Sequence, residues 1–398
     1  MSVEGVNRFT ASLLNQFSTY QNGTGNVAVC GVSLYIMMGA INFGLDGQSY
    51  DQLSRFLGER FEELYGSDTW IDSITTQKWT NLVQLTAQFY RMNSALFCTC
   101  AVYGHYQRIS KIIFRLNNIY VNLSNHVETA QKINMILYRY TLGSNEYIFV
   151  ESELDGYGMI FLDALSISAE WTTKFDIRLT RLEKFYDDRG QPLDVAMMNQ
   201  ECLNLVYDSP DQGFRIIFIS FEEPNQYAAI VLPRDHHSII DVLRIFNFDE
   251  IKDYMNSSFT KFVKFKMPKF HITSHNDYVQ TLKKFGVRDI FDPDLSDFGK
   301  MTDQRVFIGK LMQVVNVAVE ESGVNAEDDS DESLSDTDEY NESTESSSET
   351  ELQESMALPS LTEKEIQANI QTSHSETRQN KKYVYGGISL GGRRILRH

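Results

Sequence analysis

A serine flanked by glycines comes closest to a catalytic motif in this sequence. Gly387-Ile-Ser389-Leu-Gly391 matches the Gly-x-Ser-x-Gly pattern, in which a strained strand-to-helix turn exposes a nucleophilic serine. In enzymes of that kind the acid and the histidine of the triad follow the serine along the chain. The seven residues after Gly391 contain no acid. The motif therefore does not indicate a hydrolase, and no catalytic residue is predicted.

Residue types that bind metal ions are present, but without the spacing that a metal site needs. Asp292-Pro-Asp294 begins like a calcium loop but lacks the glycine and the closing glutamate at the required positions. Cys98 and Cys100 would share one face of a strand, yet no second pair completes a zinc site. We interpret Cys30, Cys98, Cys100 and Cys202 as free buried thiols in a reducing compartment. No metal and no other cofactor is predicted, and no glycine-rich phosphate loop is seen.

The elements that would position functional side chains begin with helices and continue with long strands. Apolar residues at helical spacing predict helices around Phe9–Phe17, Tyr50–Leu57 and Ile133–Leu137. Apolar, alternating or β-branched runs predict strands at Phe214–Ser220, Tyr227–Leu232, Phe262–Met267 and Val314–Val319. This order predicts an α+β protein with large, mostly antiparallel sheets.

One uncharged run is long enough to cross a membrane. Val27–Leu45 contains 19 residues without a charge, but it also contains three glycines and polar residues such as Ser33 and Asn42. Asn26 and Gly31 indicate a strand followed by a buried helix, so no membrane span is predicted. The N-terminus lacks the basic start and apolar stretch of a signal peptide, which predicts a cytoplasmic location.

The excess negative charge is concentrated in one stretch. The chain of 398 residues has a formal net charge of −18, and residues 327–354 contain 13 acidic residues and no Lys or Arg. The rest of the chain has 41 acidic and 36 basic residues, and no basic patch stands out to bind phosphates. Nucleic-acid binding is therefore not expected. The acidic stretch is also rich in Ser and Thr, a composition typical of disordered segments.

We divide the chain where its composition changes. Residues 1–326 are the predicted globular domain, since 42% of the chain is hydrophobic and can form a large core. Residues 327–360 are the acidic, Ser- and Thr-rich segment, and residues 361–398 form a C-terminal segment with a predicted short helix at 361–370. The basic end of that last segment contains Arg378, Lys381, Lys382, Arg393, Arg394 and Arg397.

An ordered series of motifs over residues 5–326 resembles the serpin family. The series comprises Asn26–Leu34; Ile133-Asn134 with Thr141; Phe161-Leu-Asp163-Ala164 with Trp171 and Phe175; Phe185-Tyr186; Met197-Met198; Leu232-Pro233; Met267-Pro268-Lys269-Phe270; Phe285-Gly286-Val287; Asp297-Phe298; and Glu320-Glu321-Ser-Gly323-Val-Asn-Ala326. The resemblance implies three β-sheets with about nine helices in one domain. It also implies a protein that is not an enzyme, and it leaves an extracellular location open, because many serpins are secreted.

The resemblance implies a function that depends on an exposed loop. A serine or cysteine protease cleaves the loop, and the cut loop then inserts into the central sheet as a new strand. The hinge of that loop would be formed by Glu321, Gly323, Val324 and Ala326. Alternate side chains must enter the core, which suits Val324 and Ala326. By the same alternation Asp328, Ser330 and Glu332 come next, and burying an unpaired carboxylate costs several kcal/mol.

Two other regions differ from the serpin pattern. Cys30, Ser33, Asp163 and Gln313 occupy positions that resemble the hydrogen-bonding group, or shutter, beneath the central sheet. The family usually has serine, asparagine and histidine where this chain has Cys30, Asp163 and Gln313. The apolar strand pair that normally ends a serpin is not recognisable, although Lys382–Ile388 is a candidate for its last strand. Missing strands would expose core and lower stability.

The sequence leaves three possibilities open. The first is a monomeric inhibitor of a serine or cysteine endopeptidase that acts by loop insertion. The second is a non-inhibitory serpin whose acidic segment binds a basic protein or its own basic end. Ser333, Ser335, Ser346 and Ser348 each precede an acid by three residues, a context for acid-directed phosphorylation. The third is a divergent chain that lacks its true C-terminal strands.

Overall fold

Nine α-helices and fourteen strands make up the part of the chain that the computed structural model describes. These residues are 3–20, 26–66, 70–141, 148–154, 158–186, 190–324 and 387–389. The helices are α1 (Val3–Tyr20), α2 (Gly31–Phe43), α3 (Gly47–Leu57), α4 (Ile74–Ala87), α5 (Gly104–Phe114), α6 (His126–Tyr140), α7 (Ile239–Ile245), α8 (Ile251–Asn256) and α9 (Val279–Lys284).

The strands fall into three sheets, as the family resemblance predicts. They are β1 (Val27–Val29), β2 (Tyr90–Cys98), β3 (Leu116–Tyr120), β4 (Met159–Ile167), β5 (Ala169–Glu170), β6 (Arg181–Tyr186), β7 (Pro192–Tyr207), β8 (Phe214–Ser220), β9 (Tyr227–Pro233), β10 (Phe259–Pro268), β11 (Phe270–Asp277), β12 (Ile308–Val319), β13 (Gly323–Val324) and β14 (Gly387–Ser389). The predicted α+β class, with three sheets and about nine helices, is therefore confirmed for the described residues.

The largest sheet has seven strands and forms the centre of the molecule. Its order is β3-β2-β4-β12-β13-β5, and β11 pairs with the other side of β12. β4 and β12 lie side by side in parallel. Met159 is opposite Ile308 at one end of the ladder, and Ser166 is opposite Asn316 at the other. Parallel strands cannot be joined by a tight turn, and here β5–β11 and α7–α9 lie between the two strands in sequence.

The central sheet is covered by helices on both faces. On one face β4 and β12 pack against α2, all of whose 13 residues are buried, as the uncharged run in the sequence predicts. On the other face α6 places Ala130, Ile133 and Leu137 over Ile160, Leu162 and Val314. Side chains alternate between the two faces along each strand, so β4 and β12 are buried almost throughout.

The second sheet has five strands, in the order β10-β7-β8-β9 with β6 also paired to β7. Phe214, Ile216 and Phe218 of β8 pack under α7 and α8, while Ile217 and Ile219 face the main core. The alternation at Phe262–Met267 predicted β10 correctly, since Phe265 and Met267 are buried and Lys264 and Lys266 are exposed. No helix among the described residues is long and apolar enough to cross a membrane.

The third sheet pairs two short strands from distant parts of the sequence. β14 runs antiparallel to β1, with Val27 opposite Ser389 and Val29 opposite Gly387. A strand thus occurs at the C-terminal end of the predicted Lys382–Ile388 segment. Ser389 of the Gly-x-Ser-x-Gly motif lies in this ladder rather than on a strand-to-helix turn. The predicted helix at 361–370 and the acidic segment 327–360 lie outside the described residues.

Candidate functional site

The candidate site is the contact between β4 and β12, which we call the seam. At its centre Asp163 of β4 is the register partner of Gln313 of β12. Beyond the last paired residues, Ser166 and Asn316, the two strands separate, and β13 lies between β12 and β5. There Val324 pairs with Val319 on one side and with Ala169 on the other. At this end of the sheet the two residues of β13 therefore already form a short strand between β12 and β5.

The residues predicted as the loop hinge form a tight turn and return into the sheet. The Glu320 amide donates to the Gly323 carbonyl at 2.9 Å, which reverses the chain after β12. Of the predicted hinge residues, Gly323 and Val324 are buried, and β13, which they form, pairs with β12 through Val324 and with β5 through both residues. The Val324 side chain is 6% exposed and packs in the main core, as the predicted inward alternation requires. Ala326 lies outside the described residues.

Gly323 is required by the close approach of β5. A Cβ atom at this position would lie 2.1 Å from the Ala169 carbonyl oxygen and 2.9 Å from the Glu170 Cα. Both are backbone atoms that cannot rotate away. Only glycine therefore allows β13 to enter between β12 and β5 in this position.

The turn before β13 is held by contacts from three other segments. Glu321 accepts a hydrogen bond from the Thr180 hydroxyl at 2.7 Å and forms an ion pair with Lys269 at 2.8 Å. Trp171 donates its indole N–H to the Glu320 carbonyl and its amide to the Ser322 carbonyl. The Trp171 ring stacks on Phe221 at 4.8 Å. Burial disfavours ionisation of Glu321, but Lys269 and Thr180 outweigh it and hold its pKa below the ordinary value.

We expect Glu321→Ala to lower the free energy of unfolding by about 1–3 kcal/mol at pH 7, because it removes the ion pair with Lys269 and the hydrogen bond from the Thr180 hydroxyl to the carboxylate. The pKa of Glu321 is lowered in the fold, so its contribution is complete above about pH 4.3 and is lost as the pH falls below that value. Urea unfolding at pH 7 and at about pH 3 measures this difference. The exposed Glu223→Ala is the control, and an equal loss in both variants would contradict the assignment.

The predicted shutter residues do come together at the centre of the seam. Both Asp163 carboxylate oxygens are occupied: Oδ2 accepts from the Ser33 hydroxyl and from Gln313 Nε2, the latter at 2.9 Å. Oδ1 accepts from the Ser94 hydroxyl of β2 at 2.8 Å. Helix α2 and three strands are thus tied to one buried carboxyl group.

Gln313 connects this group to the segment between β1 and α2. Its Nε2 donates to the Cys30 carbonyl and its Oε1 accepts from the Cys30 amide, each at 3.0 Å. The Tyr278 hydroxyl also donates to Gln313 Oε1 at 3.0 Å. Cys30 therefore takes part through its backbone, and no hydrogen bond joins its thiol to the other shutter side chains. Burial raises the pKa of that thiol to about 12, so it remains neutral.

Four residues that the sequence did not single out complete the network: Ser94, Tyr278, Ser274 and Asn276. The Ser274 hydroxyl accepts from the Ala28 amide, and the Asn276 amide donates to the Ala28 carbonyl, both at 2.8 Å. Ser274 and Asn276 are buried polar residues at alternate positions of β11. That pattern of polar residues on the inward face of a strand was the available sequence signal.

We expect Gln313→Ala to lower the free energy of unfolding by about 3–5 kcal/mol. The substitution leaves the amide and the carbonyl of Cys30 without their partner in a buried site and removes one of the donors to Asp163 Oδ2. Denaturant titration measures the loss. Gln131→Ala on the exposed side of α6 is the control and should change stability by less than about 0.5 kcal/mol. A small effect of Gln313→Ala would contradict the network.

The other residues considered for chemistry do not form a site. Among the described residues, no group of three His, Cys, Asp or Glu side chains is placed to hold a metal ion. Cys98 is the last residue of β2, and Cys100 lies beyond the strand. The two side chains therefore do not lie on one face of the same strand, which the sequence had suggested. All four cysteines are free thiols, three of them buried and Cys202 half-buried.

The family model described as serpin (serine protease inhibitor) matches residues 4–357. The chain belongs to the serpin family. The Variola virus protein named serine proteinase inhibitor 1 is 24% identical to this serpin over 301 residues, which are 74% of this chain and 78% of the viral protein. The human protein Serpin B7 is 23% identical over 319 residues, which are 76% and 82% of the two chains.

Solved structures agree with the serpin fold. Native protease nexin-1 with heparin superposes with a TM-score of 0.72 at 18% identity, covering 83% of this serpin and 90% of that chain. Uncleaved ovalbumin gives a TM-score of 0.72 at 15% identity, with coverage of 82% and 92%. A serpin from the insect Tenebrio molitor gives 0.71 at 18% identity, with coverage of 83% and 89%. At these identities the likeness concerns the fold alone.

Proposed function

We propose that this serpin inhibits a serine or cysteine endopeptidase by inserting the segment after Val324 into the seam. The observation that carries the proposal is the position of β13. Gly323 and Val324 already lie between β12 and β5, paired to both. An added strand that continues from Val324 toward the centre of the seam at Asp163 and Gln313 would extend this arrangement between β12 and β4.

The chemistry of trapping needs no catalytic residue from the serpin. The endopeptidase nucleophile attacks a peptide bond in the segment after Val324, an acyl bond to the enzyme forms, and the new amino terminus leaves. The released segment is then free to enter the seam and to carry the attached enzyme with it. The seven-stranded central sheet gains backbone hydrogen bonds on both sides of the new strand.

Insertion must displace the contacts that now close the seam. The hydrogen bond from Gln313 Nε2 to Asp163 crosses from β12 to β4, and α6 covers the same strands from the other face. These contacts keep the intact protein closed. Cleavage favours insertion, because an inserted strand forms one hydrogen-bond ladder with β4 and another with β12, whereas the closed seam has a single ladder between these two strands.

Incubation with a panel of serine and cysteine endopeptidases tests the proposal. We expect at least one enzyme to give a complex that survives denaturing electrophoresis, with the mass of the enzyme added to that of the N-terminal serpin fragment. The enzyme with its nucleophile chemically blocked is the control and should give no such band. Cleavage by several enzymes without any covalent complex would overturn the proposal.

A second function is favoured by the residues that follow the hinge. Counting from the inward Val324, the positions of Asp328 and Glu332 would also face the core on insertion. If their burial stops insertion, the protein is a non-inhibitory serpin that binds a basic partner through residues 327–354. Binding to polylysine that weakens with salt and disappears on deletion of 327–354 would support this function. Equal binding by the deleted protein would contradict it.

A further inference from the structure

Asp163 is a buried carboxyl group at the point where the seam must open. Its side chain is 0% exposed, and its oxygens contact the donors of Ser33, Ser94 and Gln313, which are all neutral. Its register partner across the seam is Gln313 itself. Opening the seam therefore breaks a contact of this carboxyl group and admits water to it.

The groups that face Asp163 from the packed elements carry no charge near neutral pH. Cys30 approaches from the segment between β1 and α2, and Tyr278 approaches from the end of β11. Burial raises the pKa values of both, that of Cys30 to about 12. Helix α2 contains no charged residue. No cation among the described residues is placed to neutralise the carboxylate.

The nearest charged and titratable side chains on β12 and β11 lie on the opposite face of the sheet. Lys310 of β12 places its ammonium group over the Phe149 ring, on the side covered by α6. His271 and His275 alternate with the inward residues Ser274 and Asn276 of β11 and so project away from Asp163. Burial lowers the pKa of His275, so its titration must be controlled in any test that varies pH.

The two protonation states of Asp163 prefer different states of the seam. Burial raises its pKa above the ordinary value, and the hydrogen bonds from Ser33, Gln313 and Ser94 only partly oppose this. The closed seam therefore holds the proton more tightly than an open, hydrated seam does. By linkage, protonation favours the closed seam at low pH, and ionisation favours opening as the pH rises through the raised value.

We propose that the proton on Asp163 controls how readily β4 and β12 separate, so that the seam is held closed in acid and is released as the carboxyl group ionises. The serpin resemblance places a neutral asparagine at this position, which could not titrate. The consequence for inhibition rests on the proposed function, whereas the opening of the seam itself is a property of the intact protein.

Hydrogen exchange of the backbone amides of β4 and β12 measures seam opening without any protease. The intact protein and Asp163→Asn are compared at the same pH, from about pH 4, near the ordinary pKa of an aspartate, to about pH 8, so that the intrinsic exchange rate and the titration of His275 cancel in the ratio. We expect the ratio of opening constants, wild type to variant, to rise by up to about tenfold per pH unit and then to level off. A ratio that does not change with pH would overturn the proposal.

Two further variants keep the test decisive if Asp163→Asn does not fold. Ser94→Ala removes one donor from the carboxylate in the closed seam, so we expect the rise in seam opening to level off at a higher pH than in the wild type. Asp289→Asn, a buried aspartate outside the seam, should leave the profile unchanged. An unchanged profile in Ser94→Ala, or an equal shift in Asp289→Asn, would also overturn the proposal. Failure to trap any endopeptidase would leave these results unaffected and would count only against the proposed function.

Discussion

Cleavage of the chain between Val324 and Gly387 is expected to raise the midpoint temperature of unfolding by about 6 °C. The released segment pairs with β4 and β12 along the seam, and we take the gain as about 5 kcal/mol. At about 2.1 cal/mol/K per residue, the entropy of unfolding of the 398 residues is about 0.8 kcal/mol/K, so each kcal/mol shifts the midpoint by about 1.2 °C. Calorimetry before and after limited proteolysis, with the cleaved bond located by mass spectrometry, measures the change. An unchanged or lowered midpoint would show that no strand is inserted.

The acidic residues after the hinge provide a matched test of the same event. If insertion buries alternate side chains from Val324 onward, Asp328 and Glu332 face inward and Asp329 and Asp331 face outward. We expect Asp328→Ala with Glu332→Ala to increase the midpoint shift further, because two carboxylates no longer have to be buried or protonated. Asp329→Ala with Asp331→Ala, which removes the same net charge, should leave the shift unchanged. Equal effects of the two double variants would contradict the alternation.

Val324→Arg is expected to reduce covalent complexes with a trapped endopeptidase at least tenfold. The Val324 side chain is buried against the main core, and a guanidinium group there has no partner, so β13 must leave the seam. Insertion then fails at its first residue while the segment after it remains available for cleavage. The protein becomes an ordinary substrate, which is measured as the ratio of cleaved serpin to complex.

Val324→Thr is the control for this substitution, because threonine has nearly the same shape and no charge. We expect it to retain most of the covalent complex. Wild-type levels of complex in Val324→Arg would show that the buried position of β13 plays no part in trapping. Loss of cleavage as well as of complex would point instead to a damaged fold, which the circular dichroism spectrum of the variant would reveal.

Much of the fold could be predicted because it depends on local patterns. The uncharged run Val27–Leu45 predicted a short strand and a buried helix, and both β1 and α2 are present. The alternation at Phe262–Met267 gave a strand with one buried face. Each of these patterns spans many residues, so a single exception does not hide it.

The details of the site could be predicted only in part. β13 is two residues long, too short for any periodicity, and its burial depends on the approach of Ala169 and on the turn at Glu320. The sequence pointed to Cys30, but the structure uses its backbone, which no residue type can reveal. Ser94 and Tyr278 contact Asp163 and Gln313 across long sequence separations and carry no motif of their own.

The way in which β1 is held has a consequence for the newly made chain. The hydrogen-bond partner of the Ala28 amide is Ser274, which is synthesised 246 residues later, and the partner of the Cys30 amide is Gln313, 283 residues later. Ser389, which pairs with Val27 of β1, is synthesised later still. At synthesis rates of about 5–20 residues per second, this apolar strand and the helix that follows it stay without these partners for tens of seconds. Such a nascent segment is a natural binding site for chaperones on the ribosome. The contacts between residues far apart in sequence that stabilise the finished structure thus also make its assembly slow.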